Sequence, residues 1–323
     1  MNNSIKKSGI VDVAAAVIFH VDGSFLLAQR PAGKIYEGYW EFPGGKIEAN
    51  ETPLHALHRE LGEELGITPV TAYPWLARIF TYPHATVRLH FFRVTEWQGE
   101  LHGHEGQQFA WQPPALSLKA KQQISVSPVL PANAPILRAL ELPYLYAISN
   151  AAELGVEEFI RRLERALQNG LRLLQVREKD LPRDEIRALS LRVLELAHTH
   201  GARVLISGDA ELARETGADG VHLSSVQLAA CNVRPDVPWC GASCHDAGEL
   251  RRAEALGCDF ALLSPVLQTP SHPGAPHLGW ENFATIAAGS SIPVYALGGL
   301  AHDDMQAAWQ HGAHGISLLR QAW

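Results

Sequence analysis

Residues 11–19 (VDVAAAVIF) are apolar and rich in strand formers. Asp22-Gly23 reads as a hairpin turn that sends residues 25–29 back as a second strand. Between residues 53 and 65 the period changes from two to about 3.6. Leu54, Leu57, Leu61 and Leu65 form one stripe, Thr52 can cap the helix, Pro53 suits its first position and Gly66 ends it. Residues 78–82 and 88–94 read as a second pair of strands, 99–106 as a loop and 108–111 as a short strand. After a turn-rich stretch at 128–131, residues 135–141 read as a closing helix, and Pro143 breaks the chain.

From Tyr144 the pattern becomes strand–helix alternation. Short apolar runs fall at 145–149, 173–177, 204–207, 220–223, 240–243, 260–264, 294–297 and 315–318. Amphipathic stretches such as 156–168, 183–200 and 249–256 fill most gaps. Eight strands alternating with helices predict a compact (β/α)8 barrel, a TIM barrel, whose functional residues stand at the C-terminal ends of the strands. Two domains are therefore expected, 1–141 and 142–323.

Composition narrows the partners. The chain is 46% hydrophobic and 19% charged, as an ordinary soluble globular protein is. A net charge of −7 argues against general binding to a nucleic-acid backbone, but a small anionic substrate can be held by a metal ion and a few local cations. The apolar run near the N-terminus is too short to span a membrane, and no signal-cleavage region follows it. The four cysteines, at 231, 240, 244 and 258, match no common zinc spacing and read as reduced, mostly structural thiols. A cytoplasmic protein is expected.

The helix at 53–65 carries the chemistry. Glu60, Glu63 and Glu64 share one face at i, i+3 and i+4, with only Arg59 close by to offset them. A solvated acidic face would interleave more lysine or arginine. A hard divalent cation held by oxygen ligands accounts for the cluster better. Gly44-Gly45 immediately upstream lets the backbone approach a ligand.

Gly45, Glu51 and the run Arg59-Glu60-Leu61-Gly62-Glu63-Glu64-Leu65-Gly66-Ile67 form a complete Nudix box. Residues 40–48 (WEFPGGKIE), the loop ending His104-Glu105-Gly106 and the segment Pro131-Ala132-Asn133-Ala134-Pro135 resemble the MutT-type 8-oxo-dGTP diphosphatases. The similarity covers roughly residues 10–141. It implies an α/β/α sandwich with a mixed sheet. It also implies Mg²⁺-dependent (or Mn²⁺-dependent) attack of water on the β-phosphorus of a nucleoside triphosphate. Pyrophosphate release would sanitise the nucleotide pool and so serve DNA replication fidelity and repair.

The resemblance makes the Gly44 carbonyl, Glu60, Glu63, Glu64 and Glu105 the metal ligands. One of Glu60, Glu63 or Glu105 acts as base, with Glu60 the assignment chosen. Arg59 orients the carboxylates and Glu51 holds the loop. Arg30 and Lys46 are candidate phosphate contacts. Phe42 either packs on the base or sits in the core. Asn133 offers one amide to a purine edge. At the places where the subgroup has an acidic–basic pair after Tyr82-Pro83, this chain has His84 and Ala85, which weakens strict 8-oxoguanine selectivity but not hydrolysis.

The barrel strand ends resemble thiamine phosphate synthase and its TenI relatives over about residues 143–320. Residues 175–179 (QVREK), 218–223 (ADGVHL), 241–245 (GASCH), 264–266 (SPV) and 296–300 (ALGGL) carry the likeness. The resemblance implies pyrophosphate binding by Arg177 and Lys179 and a phosphate cradle at Gly298-Gly299. Three departures stand against synthase activity. The family's Asn-Asp pair after strand three is Ser207-Gly208, with Asp209 one position late. Ser224-Ser225-Val226-Gln227 offers no acid after strand four, and Thr269-Pro270-Ser271-His272 lacks the family's lysine. The expectation is a catalytically degenerate barrel that binds a phosphorylated ligand.

Three functional readings follow. The first is nucleotide-pool sanitation by the Nudix half. The second is hydrolysis of thiamine pyrophosphate derivatives, with the barrel binding a related phosphate. The third makes the barrel a non-catalytic sensor or docking module. No membrane partner and no direct nucleic-acid partner are expected.

Overall fold

The computed structural model describes residues 9–104, 106–114, 124–269, 274 and 276–323. The chain forms two compact units, Met1–Glu141 and Leu142–Trp323.

The first unit contains β1 (Val11–Ile18), β2 (Phe25–Gln29), β3 (Trp40–Glu41), β4 (Gly44–Lys46), α1 (Pro53–Leu65), β5 (Thr68–Thr81), β6 (Thr86–Gln98), β7 (Phe109–Gln112) and α2 (Ala134–Leu140). One sheet runs β4-β1-β6-β5, with β1 and β6 parallel and the other pairs antiparallel. A second, antiparallel sheet runs β3-β2-β7. The alternation in β1 explains why the larger sheet is covered on both faces. Ala14, Ala16 and Ile18 pack with Leu57, Leu61 and Leu65 of α1. Ala15 and Val17 point the other way, into a cluster with Ile136, Ala139 and Leu140 of α2. The unit is thus the α/β/α sandwich with a mixed sheet that the Nudix likeness implies.

The second strand pair is longer than the sequence pattern suggests. β5 has 14 residues although Pro69 and Pro74 interrupt it. It lies at the sheet edge, and register shifts occur at Pro69/Thr71, Thr71/Ala72 and Pro74/Leu76. Edge position and bulges are the settings in which a strand tolerates proline.

In the second unit eight parallel strands close a barrel. They are β8 (Leu145–Ile148), β9 (Leu173–Val176), β10 (Arg203–Ser207), β11 (Gly220–Leu223), β12 (Trp239–Cys244), β13 (Phe260–Leu263), β14 (Val294–Leu297) and β15 (Gly315–Leu318). Around them lie α3 (Ala151–Leu154), α4 (Val156–Gln168), α5 (Arg183–Thr199), α6 (Ala210–Thr216), α7 (Ser225–Ala230), α8 (Ala247–Leu256), α9 (Gly279–Ala287) and α10 (Met305–Gln310). Tyr146, Ile148, Leu173, Leu205, Phe260, Leu262 and Tyr295 fill the barrel interior. Neighbours one residue out of phase, such as Ala147, Leu174, Val204 and Ile206, belong to the layer beneath the helices. Among the described residues no helix is long and apolar enough to cross a membrane.

Candidate functional site

The helix α1 is fixed at both ends. Thr52 accepts a hydrogen bond from the His55 amide at 3.2 Å, and Gly66 closes the helix in the left-handed region at φ 69°. Leu57, Leu61 and Leu65 of its apolar stripe are buried while Leu54, in the first turn, is exposed, and this packing turns Arg59, Glu60, Glu63 and Glu64 toward β4 and the surface. Two glycines make this approach possible. The backbone of Gly44 has φ +142°, and a Cβ there would collide with the Ala14 carbonyl of β1. A Cβ on Gly45 would occupy the space of the Glu60 carboxylate. Glu60 therefore lies directly on the backbone of β4.

Arg59 organises the acids. Its Nε and Nη2 donate to the two carboxylate oxygens of Glu51 at 3.0 and 2.9 Å. Nη1 donates to Glu60 at 2.8 Å and to Glu63 at 3.2 Å, and Nη2 also reaches the Lys46 carbonyl at 2.9 Å. The paired guanidinium holds the Glu51 carboxyl below its usual range. Glu51 also accepts the Glu48 amide at 3.0 Å, so it anchors the loop that leads into α1.

Glu64 is different. It accepts the Gly44 amide at 3.2 Å. Burial pushes its pKa up to about 7, and the carboxylates of Glu41 and Glu60 add to the shift. Burial also raises Glu41, against the opposing Arg30 guanidinium. The pocket thus concentrates negative charge beyond what its arginines offset, and its donors are oxygens. Both features fit a hard divalent cation. Among the described residues, no three His, Cys, Asp or Glu side chains converge closely enough to enclose an ion by themselves. Glu105 lies outside the described residues.

The remaining predicted contacts divide. Arg30 donates to Glu41 at 2.6 Å and to the Ile35 carbonyl at 2.7 Å, so its guanidinium is already engaged at the pocket rim. The side chain of Lys46 is exposed. Phe42 is 3% exposed and packs against Phe25 and Phe91 at 6.1 and 5.8 Å between ring centres. It belongs to the core, where it offers no open face for stacking.

Asn133 is 4% exposed, and its Nδ2 has no hydrogen-bond partner among the described residues. Its segment is tied to β3, because Leu130 N donates to Trp40 O at 2.9 Å and Trp40 N to Pro128 O at 2.8 Å. Tyr82 stands beside this segment and is within hydrogen-bonding reach of the Ala132 backbone. Burial raises the Tyr82 phenol to about 12, with Glu41 contributing. Tyr82 also packs with Tyr36 at 5.4 Å and stacks on His84 at 5.4 Å. Tyr82 therefore joins an aromatic group of Tyr36 and His84 to the Asn133 segment, with Glu41 near enough to act on its phenol. Neither Tyr36 nor Tyr82 carries a sequence signal that marks it as a site residue. Tyr36 lies in a loop at φ 62°, where no periodicity exists to read.

In the barrel, Arg177 follows β9 and is half-buried, and burial lowers its pKa. Lys179 is exposed. Gly298 and Gly299 adopt φ +109° and +70°, and Cβ atoms there would press on Pro265 at 2.8 Å and on the Gln268 carbonyl. The apposed loop after β13 thus accounts for both glycines. His222 is fully buried, with Nε2 3.0 Å from Ser243 Oγ and Nδ1 3.3 Å from the Tyr146 hydroxyl. Burial and the nearby Arg177 charge hold it neutral, with a pKa near 3. Of the segment expected to lack the family's lysine, residues 270–272 lie outside the described residues.

Comparison with known proteins matches the two units to two different families. The NUDIX domain model matches residues 10–132, and the thiamine monophosphate synthase model (TMP-TENI) matches residues 145–322. The first half is similar to the 8-oxo-dGTP diphosphatase of Haemophilus influenzae, with 43% identity over 102 residues, 32% of this chain and 75% of that protein. The second half is similar to the thiamine-phosphate synthase of Thioalkalivibrio sulfidiphilus, with 34% identity over 181 residues, 54% of this chain and 85% of that protein. A thiamine-phosphate synthase of Desulfitobacterium hafniense is 31% identical over 180 residues, 54% of this chain and 86% of that protein. The chain is a Nudix hydrolase of the MutT type in its first half and belongs, through its barrel, to the thiamine monophosphate synthase family.

Proposed function

We propose that residues 1–141 form a hydrolase domain that converts 8-oxo-dGTP and related nucleoside triphosphates to monophosphate and pyrophosphate. This is the activity named for the Haemophilus influenzae relative. Its place would be the cytoplasmic nucleotide pool. The observation that carries the reading is the buried, unpartnered Nδ2 of Asn133 beside the aromatic group. An orphaned buried amide costs stability unless a ligand satisfies it, and a purine edge offers both a donor and an acceptor.

In this reading Gly44, Glu60, Glu63 and Glu64, with Glu105, would hold Mg²⁺ or Mn²⁺. A divalent ion there supplies charge neutralisation to the phosphate oxygens and acidifies the attacking water. Glu60, seated on Gly45 and steadied by Arg59, takes the water's proton. Arg59 keeps Glu51, Glu60 and Glu63 in register throughout. Asn133 and the rings of Tyr36, Tyr82 and His84 orient the base so that the phosphates reach the acidic end. Arg30 and Lys46 stand at the rim for the outer phosphates, Arg30 on condition that it releases Glu41.

The barrel favours a second reading, because its relatives are named for thiamine phosphate synthesis. The hydrolase would then act on thiamine pyrophosphate derivatives, and Arg177, Lys179 and the Gly298-Gly299 loop would bind a related phosphate. A panel of 8-oxo-dGTP, dGTP and thiamine pyrophosphate on the full chain separates the two. The first reading expects the highest kcat/KM on 8-oxo-dGTP. A clear preference for thiamine pyrophosphate would replace it with the second.

A further inference from the structure

A synthase-type barrel would hold its divalent ion with acids at the ends of strands three and four, the strands here called β10 and β11. The residues at those ends do not fit an ion. After β10 comes Gly208, in the left-handed region at φ +70°. After β11 come Ser224 and then Gln227. Gln227 Nε2 donates to the Gly208 carbonyl at 2.8 Å. Its Oε1 accepts both the amide and the hydroxyl of Ser224 at 3.0 Å. A Cβ on residue 208 would lie 2.6 Å from the Gln227 Nε2, so even the glycine's vacant side is filled by the amide. The side-chain amide therefore bridges the two strand ends and spends both of its functional groups in doing so.

The nearest carboxylate is also spent. Asp209 accepts the Leu212 amide at 2.7 Å, as the cap of α6, and Arg183 at 2.9 Å. Glu178, next to Arg177, is committed to Ala151 N at 2.8 Å, Ala152 N at 2.9 Å and the Ser149 hydroxyl at 2.5 Å. In contrast, the Arg177 guanidinium has no hydrogen bond or ion pair among the described residues, although it is half-buried. His222 in the same barrel interior has both ring nitrogens engaged, by the Tyr146 hydroxyl and Ser243 Oγ. The Glu178 charge acts on Arg177 against the effect of burial, but its oxygens are committed elsewhere, so the guanidinium keeps its N–H donors for an anion.

We propose that the ends of β10 and β11 do not take a divalent cation, the Gln227–Gly208 amide bridge standing where a metal would otherwise join them, so that a phosphate or diphosphate anion at Arg177 is held without one. Metal-assisted loss of pyrophosphate is then not available to this barrel, whereas anion recognition is.

Calorimetric titration of the full chain with inorganic pyrophosphate in EDTA tests this. Without a cation the glutamate pocket of the first unit has nothing to hold the anion, so the Arg177-dependent part of the heat reports the barrel. Saturable binding is expected in EDTA. It should weaken at least tenfold in Arg177→Met and be partly kept in Arg177→Lys, with melting temperature checked for each. Gln227→Asp, which adds a negative charge to the bridge, should weaken binding in EDTA and recover with Mg²⁺. The proposal is overturned if wild-type binding in EDTA is absent or indifferent to Arg177→Met. It is overturned equally if Arg177-dependent binding needs Mg²⁺, or if Gln227→Asp matches the wild type in both buffers. Hydrolysis of nucleoside triphosphates is read separately and bears on the other half alone.

Discussion

Glu64 and Asn133 are the residues whose burial most needs a ligand. For Glu64 the sign of the pH effect can be worked out. Its native pKa lies near 7, above the ordinary carboxylate value of 4.5, so between those two pH values the native state holds a proton that the unfolded chain has lost. Its contribution to stability is full below about pH 4.5 and is lost as pH rises through 7. In EDTA, Glu64→Gln should therefore remove part of the fall in melting temperature between pH 5 and pH 8. An identical fall in both proteins would contradict the assigned environment. With Mg²⁺ present the same variant should lose hydrolysis by a factor of about 10² or more, because a carboxylate that would hold the metal is replaced by a neutral amide. For Asn133 the null cost is informative. Because its Nδ2 makes no bond, Asn133→Leu should leave the melting temperature nearly unchanged or raise it. Box acids were legible because fixed spacing puts them on one helix face. Tyr36 and Tyr82 were not, because ring contacts between a loop and a strand end leave no periodic trace.

Among the elements, β4 and α1 act as one unit, and glycine is what lets them touch. Gly45→Ala should displace Glu60 and abolish hydrolysis, with a modest loss of stability, since a side-chain end can move. Gly44→Ala faces a backbone carbonyl instead, at a φ that side chains rarely adopt, and should destabilise by about 2 kcal/mol or more. Thermal unfolding of the two variants distinguishes these costs; equal destabilisation would mean that the Glu60 contact is misplaced. The helix itself was readable from Thr52, Pro53, its leucine stripe and Gly66. The length of β5 was not, because prolines at 69 and 74 look like stops until the strand is known to lie on an edge with bulges.

At the scale of the molecule, eight short apolar runs alternating with helices were enough to specify the barrel, since parallel strands buried on both faces read as continuous apolar segments. What the alternation could not reveal is how Gln227 is used. Sequence showed only that acids were missing, and the amide bridge to Gly208 depends on two loops meeting. The full chain, given a pyrimidine pyrophosphate and a thiazole phosphate with Mg²⁺, should form no thiamine phosphate. Product above the enzyme-free rate would show that the barrel is not degenerate.

In the proposed reaction the glutamates of α1 serve hydrolysis of a nucleotide whose base is read at Asn133. This can be measured as kcat/KM of the full chain on 8-oxo-dGTP and on dGTP, in wild type and in Asn133→Leu. A strong preference for 8-oxo-dGTP is expected in the wild type, with a loss of about tenfold or more on that substrate in the variant. Equal wild-type rates on the two nucleotides, or a variant that keeps the full preference, would contradict it.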